Sequence, residues 1–266
     1  MFCLNYYPNH SYLKDVEELK ISYRATDRTL EDFLRLYQDK KTIVIDVTNS
    51  FEEIDAQLLQ GLSVKYQNIK LIIDINDSTS IGLVRMYKLP FFFANFASTI
   101  DDVYRLMSFH PTDIYICAGL GFKLNKVSKL LHNNHIKVRV FPNICQSSFS
   151  ETPSLKTFFI RPEDIPIYAK YVDVFELISD ADRQGIIYKI YKQQKWFGDI
   201  SEIIPSFKGK LDSRFLLSTF GESRVKCGRR CLIDPNSCSI CDALSELAEA
   251  LEKEGIVVKA TPLNSV

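Results

Sequence analysis

Apolar runs of strand length alternate with amphipathic stretches of helical length along most of this chain, and that alternation predicts its fold class. Runs rich in β-branched and aromatic residues fall at 2–6 (FCLNY), 42–47 (TIVIDV), 70–75 (KLIIDI), 90–95 (PFFFAN), 113–117 (DIYIC), 136–141 (IKVRVF), 157–160 (TFFI) and 172–177 (VDVFEL). Helical spacing marks 30–37, 51–64, 81–87, 101–108, 124–131, 162–170 and 181–193. Within 51–64 the spacing puts Ile54, Leu58, Leu59 and Leu62 on one face. Ser98 or Thr99 is placed to cap 101–108, and Asn133 and Asn134 end 124–131. Pro162, followed by Glu163 and Asp164, opens the next helix with the expected first-turn chemistry. The stretch after residue 6 and before residue 30 reads as irregular, and 145–154 as a Ser/Thr/Pro loop.

Eight β runs, most of them followed by a helix, predict an α/β fold with a mainly parallel sheet. Eight such units predict a TIM-like closed barrel over residues 1–198. A doubly wound open sheet is the alternative, but no G-x-G-x-x-G follows the first run. Past residue 198 the rhythm stops. Residues 201–219 are irregular, a cysteine-rich run follows, and 243–253 is helical. Residues 199–266 are therefore expected to form a C-terminal appendage that caps the barrel mouth.

Composition adds little to this picture. The 266 residues are 46% hydrophobic and 25% charged, with 33 Lys plus Arg against 33 Asp plus Glu. A zero formal charge gives no global sign of a nucleic-acid or membrane partner. No charged segment followed by a long apolar run opens the chain, and no apolar stretch approaches the ~20 residues needed to span a bilayer. With an odd number of cysteines, seven, the expected setting is a reducing cytoplasm.

The cysteines do change the picture. Cys227, Cys231, Cys238 and Cys241 are spaced C-x3-C-x6-C-x2-C, with the turn-forming Asp234, Pro235 and Asn236 between the pairs. Four thiolates on one short loop suit a single metal centre, either zinc in an all-sulfur tetrahedron or a 4Fe–4S cluster. Zinc ribbons usually carry two C-x2-C knuckles, and only Cys238–Cys241 is one, so the uneven spacing leans toward the cluster. Arg224, Lys226, Arg229 and Arg230 surround the first pair; cations there lower thiol pKa values and offset a negative centre. Two disulfides, or four unrelated thiols beside a solvated basic face, are the plainer readings.

Barrel chemistry collects where strands end. Polar residues at those positions are Asp46, Asp74, Asn95, Cys117, Asn143, Arg161, Glu176 and Asp180. Such a ring suits binding of a polar small molecule and proton transfer, while turn capping accounts for several of the same residues. Arg161 ends an apolar run and precedes a proline-started helix, so its guanidinium is placed to hold a carboxylate of a ligand. The rival role pairs it with Glu163, Asp164 or Glu176. His10, His110, His132 and His135 show no ligand spacing, and the last two fall at a helix end, in capping or surface positions. No G-x-S-x-G elbow, P-loop or C-x3-C-x2-C pattern occurs.

Three stretches together resemble the collagenase-like peptidase family, peptidase family U-32: 139–146 (RVFPNICQ), 158–177 (FFIRPEDIPIYAKYVDVFEL) and 181–200 (ADRQGIIYKIYKQQKWFGDI). The resemblance covers the second half of the barrel and implies a TIM-like barrel. It further implies an oxygen-independent hydroxylase bearing a 4Fe–4S cluster, acting in quinone synthesis or on ribosomal or transfer RNA, with prephenate required in the RNA-modifying branch. Arg161 and Arg183 are the site residues it implies. Here the cysteines are bunched after the barrel, where the family spreads its ligands through the middle of the chain, so the ligand set does not carry over directly.

Two functional readings result. One is a metal-dependent barrel enzyme, an iron–sulfur-linked hydroxylase or related modifying enzyme. Its catalytic candidates are Arg161, Glu176, Arg183, Asp46, Asp74 and Asn143, and its substrate is a small molecule or RNA. The other is a non-enzymatic barrel stapled by zinc that binds a protein partner.

Overall fold

The computed structural model describes residues 1–8, 10–23, 29–49, 51–117, 120, 123–144, 159–204, 213 and 250. Nine parallel strands form one sheet: β1 (Phe2–Asn5), β2 (Glu18–Ser22), β3 (Thr42–Asp46), β4 (Ile69–Ile73), β5 (Phe91–Phe93), β6 (Phe96–Ala97), β7 (Asp113–Ile116), β8 (Lys137–Val140) and β9 (Val174–Leu177). Their order is β5-β4-β3-β2-β1-β9-β8-β7-β6. The two outermost members, β5 and β6, are consecutive pieces of one run, 91–97, interrupted at Ala94 and Asn95. One edge of the sheet and the other are therefore the same segment of chain, and the sheet is a nearly closed, TIM-like barrel.

Seven α-helices are described: α1 (Leu30–Leu36), α2 (Glu53–Lys65), α3 (Ser78–Met86), α4 (Ile100–Met107), α5 (Leu124–Asn133), α6 (Ile165–Tyr168) and α7 (Ala181–Gln193). Local chemistry fixes their starts. Thr99 caps α4 and exchanges bonds with Asp102 in a capping box, and Asp77 and Asp180 accept backbone N–H bonds at the starts of α3 and α7. On α2 the buried residues are Ala56, Leu59 and Leu62, while Ile54 and Leu58 are exposed. The expected apolar face is thus rotated, because Ala56 gives the close packing surface. Lys88, His110, His135 and Gln194 lie at positive φ just past four helices, where the chain turns back.

Two strand expectations are corrected. The segment read as irregular after residue 6 contains β2, whose ELKIS sequence alternates polar and apolar residues. Of the run at 157–160, the described residues Phe159 and Ile160 fall outside the sheet, with Ile160 N donating to Pro142 O; residues 157 and 158 lie outside the described set. β8 pairs directly with β9, Arg139 against Val174, which leaves no place between them.

The chain divides into two compact units. The first comprises 1–116, 127–140 and 173–176, which is the barrel sheet apart from the last residue of β9. The second comprises 117–126, 141–172 and 177 onward. Its described core includes Phe159, Ile160, Ile187, Tyr191 and Trp196, with Tyr191 Oη donating to Ile160 O at 2.9 Å. The expected boundary after residue 198 falls inside this unit, and most of the expected appendage lies outside the described residues. No described helix is long and apolar enough to cross a membrane.

Candidate active site

Register decides which side chains share the barrel interior. Pairing aligns Cys3 with Glu18 and Thr42, Asn5 with Lys20, Val44 and Lys70, and Tyr115 with Arg139 and Val174. Alternate residues such as Leu4, Leu19, Ile43, Ile45, Ile114 and Val138 take the opposite face and are buried. Contacts between strands that are not neighbours identify the first set as inward-facing. Lys70 of β4 reaches Asp113 of β7 at 2.5 Å, and Arg139 of β8 reaches Glu18 of β2. Neither pair could form except across the inside of the barrel.

This interior is charged. Arg139 is fully buried, bonds Glu18, lies 3.2 Å from Glu176 and 3.5 Å from Asp113, and stacks over Phe92 at 4.6 Å and Tyr115 at 5.4 Å. Tyr115 Oη donates to the second Glu176 oxygen. Lys20 Nζ donates to Glu176 Oε1 at 3.2 Å and lies 3.6 Å from Asp46 Oδ2. Four carboxylates, Glu18, Asp46, Asp113 and Glu176, thus face three cations, Lys20, Lys70 and Arg139. Isolated ions in such a place would be very costly, and mutual pairing is what keeps them there. Satisfaction is incomplete: Arg139 Nε and Nη1, Glu18 Oε2 and Asp113 Oδ1 are buried without a hydrogen-bond partner. The Nη1–Oδ1 approach is close enough for ionic attraction without being a hydrogen bond.

The electrostatic consequences are directional. Burial alone would raise the Glu176 carboxyl, but Lys20, Arg139 and the Tyr115 hydroxyl outweigh it and hold the group below the usual glutamate range. Burial alone would lower Lys20, but Glu176 and Asp46 outweigh it and hold the ammonium above the usual lysine value. The pairing thus favours the charged form of Lys20. Burial, then Glu176, pushes the Tyr115 hydroxyl and the Cys3 thiol well up, so both stay neutral.

The network is partly open to solvent: Asp46, the last residue of β3, is 25% exposed, Lys20 18% and Lys70 15%, while Glu176 is 1% exposed. Asp46 Oδ1 accepts from Thr48 N at 3.2 Å and Thr48 Oγ1 at 2.7 Å, which orients Oδ2 toward Lys20. Asp74 accepts from Asn76 N at 2.9 Å within its own turn, and Asn95 Oδ1 accepts from Ile75 N at 3.2 Å, bracing that same turn from the neighbouring segment. Cys117 is buried and in no disulfide.

The other expected site residues lie in the second unit and are held locally. Both Asp164 oxygens accept from Arg161, Nε and Nη2 each at 2.8 Å, and the guanidinium is 4% exposed. That is the structural pairing that stood as its rival role. Asn143 Nδ2 donates to Ile178 O at 2.6 Å and its Oδ1 accepts from Ile178 N at 3.0 Å, clamping two backbone segments. Arg183 donates to Glu202 O, and its own N–H donates to Asp180 at the start of α7. His132 pairs with Asp173 at 2.8 Å near the surface. Cys227, Cys231, Cys238 and Cys241 lie outside the described residues; among those described, no cluster of His, Cys, Asp and Glu suited to a metal occurs.

Sequence reasoning found Asp46 and Glu176 but missed Glu18, Lys20, Lys70, Asp113, Tyr115 and Arg139. The signal was present as polar residues at alternate positions within apolar runs: E-L-K-I-S, K-L-I-I, D-I-Y-I and K-V-R-V. Ordinarily such alternation means a half-solvated sheet.

No family model matches the chain, and no curated protein does. Among the solved structures similar to it are the following three. A native KDPGal structure is 10% identical, with a TM-score of 0.47, over 77% of this chain and 93% of that one. A 4-hydroxy-2-oxoglutarate aldolase/2-deydro-3-deoxyphosphogluconate aldolase is 13% identical, with a TM-score of 0.40, over 73% and 92%. A cube-shaped, highly porous protein cage designed by fusing symmetric oligomeric domains is 10% identical, with a TM-score of 0.45, over 98% and 87%.

Proposed function

We propose that this protein is a metal-dependent barrel enzyme, an iron–sulfur-linked hydroxylase or related modifying enzyme, whose substrate meets Lys20 and Asp46 at the C-terminal ends of the strands. One observation supports a site there above all. A charged pair remains partly open to solvent at the strand ends, while the carboxylate that braces it, Glu176, is fully buried. A barrel selected only for stability would fill that position with apolar layers. The resemblance of 139–146, 158–177 and 181–200 to family U-32 supports the reaction class.

In this reading the protonated Lys20 donates hydrogen bonds to a substrate oxygen. Asp46 Oδ2, whose sister oxygen is held by Thr48, takes or returns a proton. Glu176 positions Lys20, and Tyr115 and Arg139 position Glu176. The donor set of Cys227, Cys231, Cys238 and Cys241 fits either a four-thiolate zinc or a 4Fe–4S cluster, since each takes four sulfur ligands. When bound, a cluster would carry away the electrons that hydroxylation with a water-derived oxygen releases, toward an external acceptor, and zinc would supply structural closure of the loop.

Metal content tests the reading. Full-length protein purified without oxygen should be brown, with a broad visible band and about four irons and four sulfides per chain. Cys238→Ser and Cys241→Ser should each lose most of that colour. Colourless protein holding about one zinc would favour a stapled binding module instead. Protein without metal after reconstitution would remove the metal-dependent reading altogether.

A further inference from the structure

The two carboxylates around Lys20 are not equivalent, and the difference identifies what the mouth can take. Glu176 is 3.2 Å away, 1% exposed, and fixed on its other side by Tyr115 and Arg139. Asp46 is 3.6 Å away, 25% exposed, and makes its Thr48 bonds through the other oxygen, Oδ1. A buried, fully braced partner cannot leave without stranding charge. A partly solvated partner at a longer distance contributes little and is exchangeable. Lys20 has three donors, and of its two carboxylate partners Asp46 is the one exposed to solvent.

We infer that the barrel mouth binds a small molecule through an anionic oxygen group, a carboxylate or a phosphate, which replaces Asp46 as the outer partner of Lys20. The exchange leaves the Lys20–Glu176 pair intact. It also releases Asp46 Oδ2 from Lys20. This assignment rests on the proposed site at Lys20 and Asp46 and gives that site its ligand class. It makes no use of the metal centre, so its failure and the failure of the metal reading are separately visible.

The geometry predicts an unusual sign. Asp46 competes with the ligand for Lys20, so removing its charge strengthens binding, whereas removing a residue that merely contacts a ligand weakens it. The test titrates full-length protein with pyruvate and, separately, with inorganic phosphate. It follows the Lys20 ammonium by NMR in selectively labelled protein and the dissociation constant by calorimetry. Expected are a saturable shift of the Lys20 signal with at least one of the two anions, and binding about two- to fivefold tighter in Asp46→Asn, the range of an exposed ion pair. Lys20→Met, with a melting curve checked against wild type, should abolish binding, and Lys20→Arg should retain part of it. Response to pyruvate alone identifies a carboxylate site, and response to phosphate alone a phosphate site. Absence of any Lys20 response to either anion overturns the inference. So does weaker binding in Asp46→Asn, or undiminished binding in a folded Lys20→Met protein.

Discussion

Arg139 shows what a single residue decides in this barrel. Its guanidinium satisfies, by charge if not always by hydrogen bond, Glu18, Asp113 and Glu176, and it is stacked on Phe92 and Tyr115. Arg139→Met keeps much of the volume but leaves three carboxylates facing one another inside the barrel. The expected loss is roughly 3–5 kcal/mol in urea unfolding, the scale of breaking a buried pair. Combining it with Glu18→Gln should cost less than the sum of the single changes, because part of the penalty is repulsion between the carboxylates left behind. Additive losses would mean that the two residues do not share a network.

Elements are fixed by chemistry at their ends. The 181–193 helix holds to the boundaries its spacing predicts, since Asp180 starts it and Gln194 turns back at positive φ. Beyond it, Trp196 folds over Gly198: a Cβ there would stand 2.6 Å from Trp196 Cζ2 and 3.0 Å from Cε2. Trp196 is 2% exposed, its N–H donates to Glu163 Oε1 at 2.7 Å, and its indole donates to Asp199 O at 3.2 Å, so the ring cannot easily shift. Gly198→Ala should therefore destabilise by about 1–3 kcal/mol in thermal melts. Because the chain has one tryptophan, the emission of the folded state should change as well. A melt and an emission spectrum identical to wild type would show that the turn opens freely.

At the scale of the whole molecule, the barrel interior sets the pH range of stability. The folded Glu176 carboxyl titrates below its unfolded value. Its contribution is thus complete above the ordinary glutamate value, about 4.3, and is lost as pH falls through the depressed folded value. Cys3 titrates above its unfolded value, chiefly through burial, so its contribution is complete below about pH 8.5 and is lost as pH rises beyond that. Unfolding free energy should therefore be greatest near neutrality. Glu176→Gln should flatten the acid limb and Cys3→Ala the start of the alkaline limb. Limbs unchanged in both variants would place the pH response outside the barrel.

Periodicity alone determined that the chain alternates β and α, that the sheet is parallel, and where most helices start and stop. Those features arise from local apolar spacing, caps and turns, which are written residue by residue. Seven of the eight predicted β runs lie in the sheet, the described residues of the eighth, Phe159 and Ile160, do not, and β2 takes a place the pattern had left irregular. A short apolar run looks the same whether or not a neighbouring strand has room for it, and only the direct pairing of β8 with β9 excludes this one. Asp46 and Glu176, which join the interior charge network, were legible as polar residues near strand ends because that position is a local property. Lys20 and Arg139 were not, because their partners lie far along the chain, 156 residues for Lys20 with Glu176 and 121 for Arg139 with Glu18. Alternating polar residues ordinarily face water. Here closure of the sheet turns that face inward, so charges that would be solvated on an open sheet must find each other across the barrel.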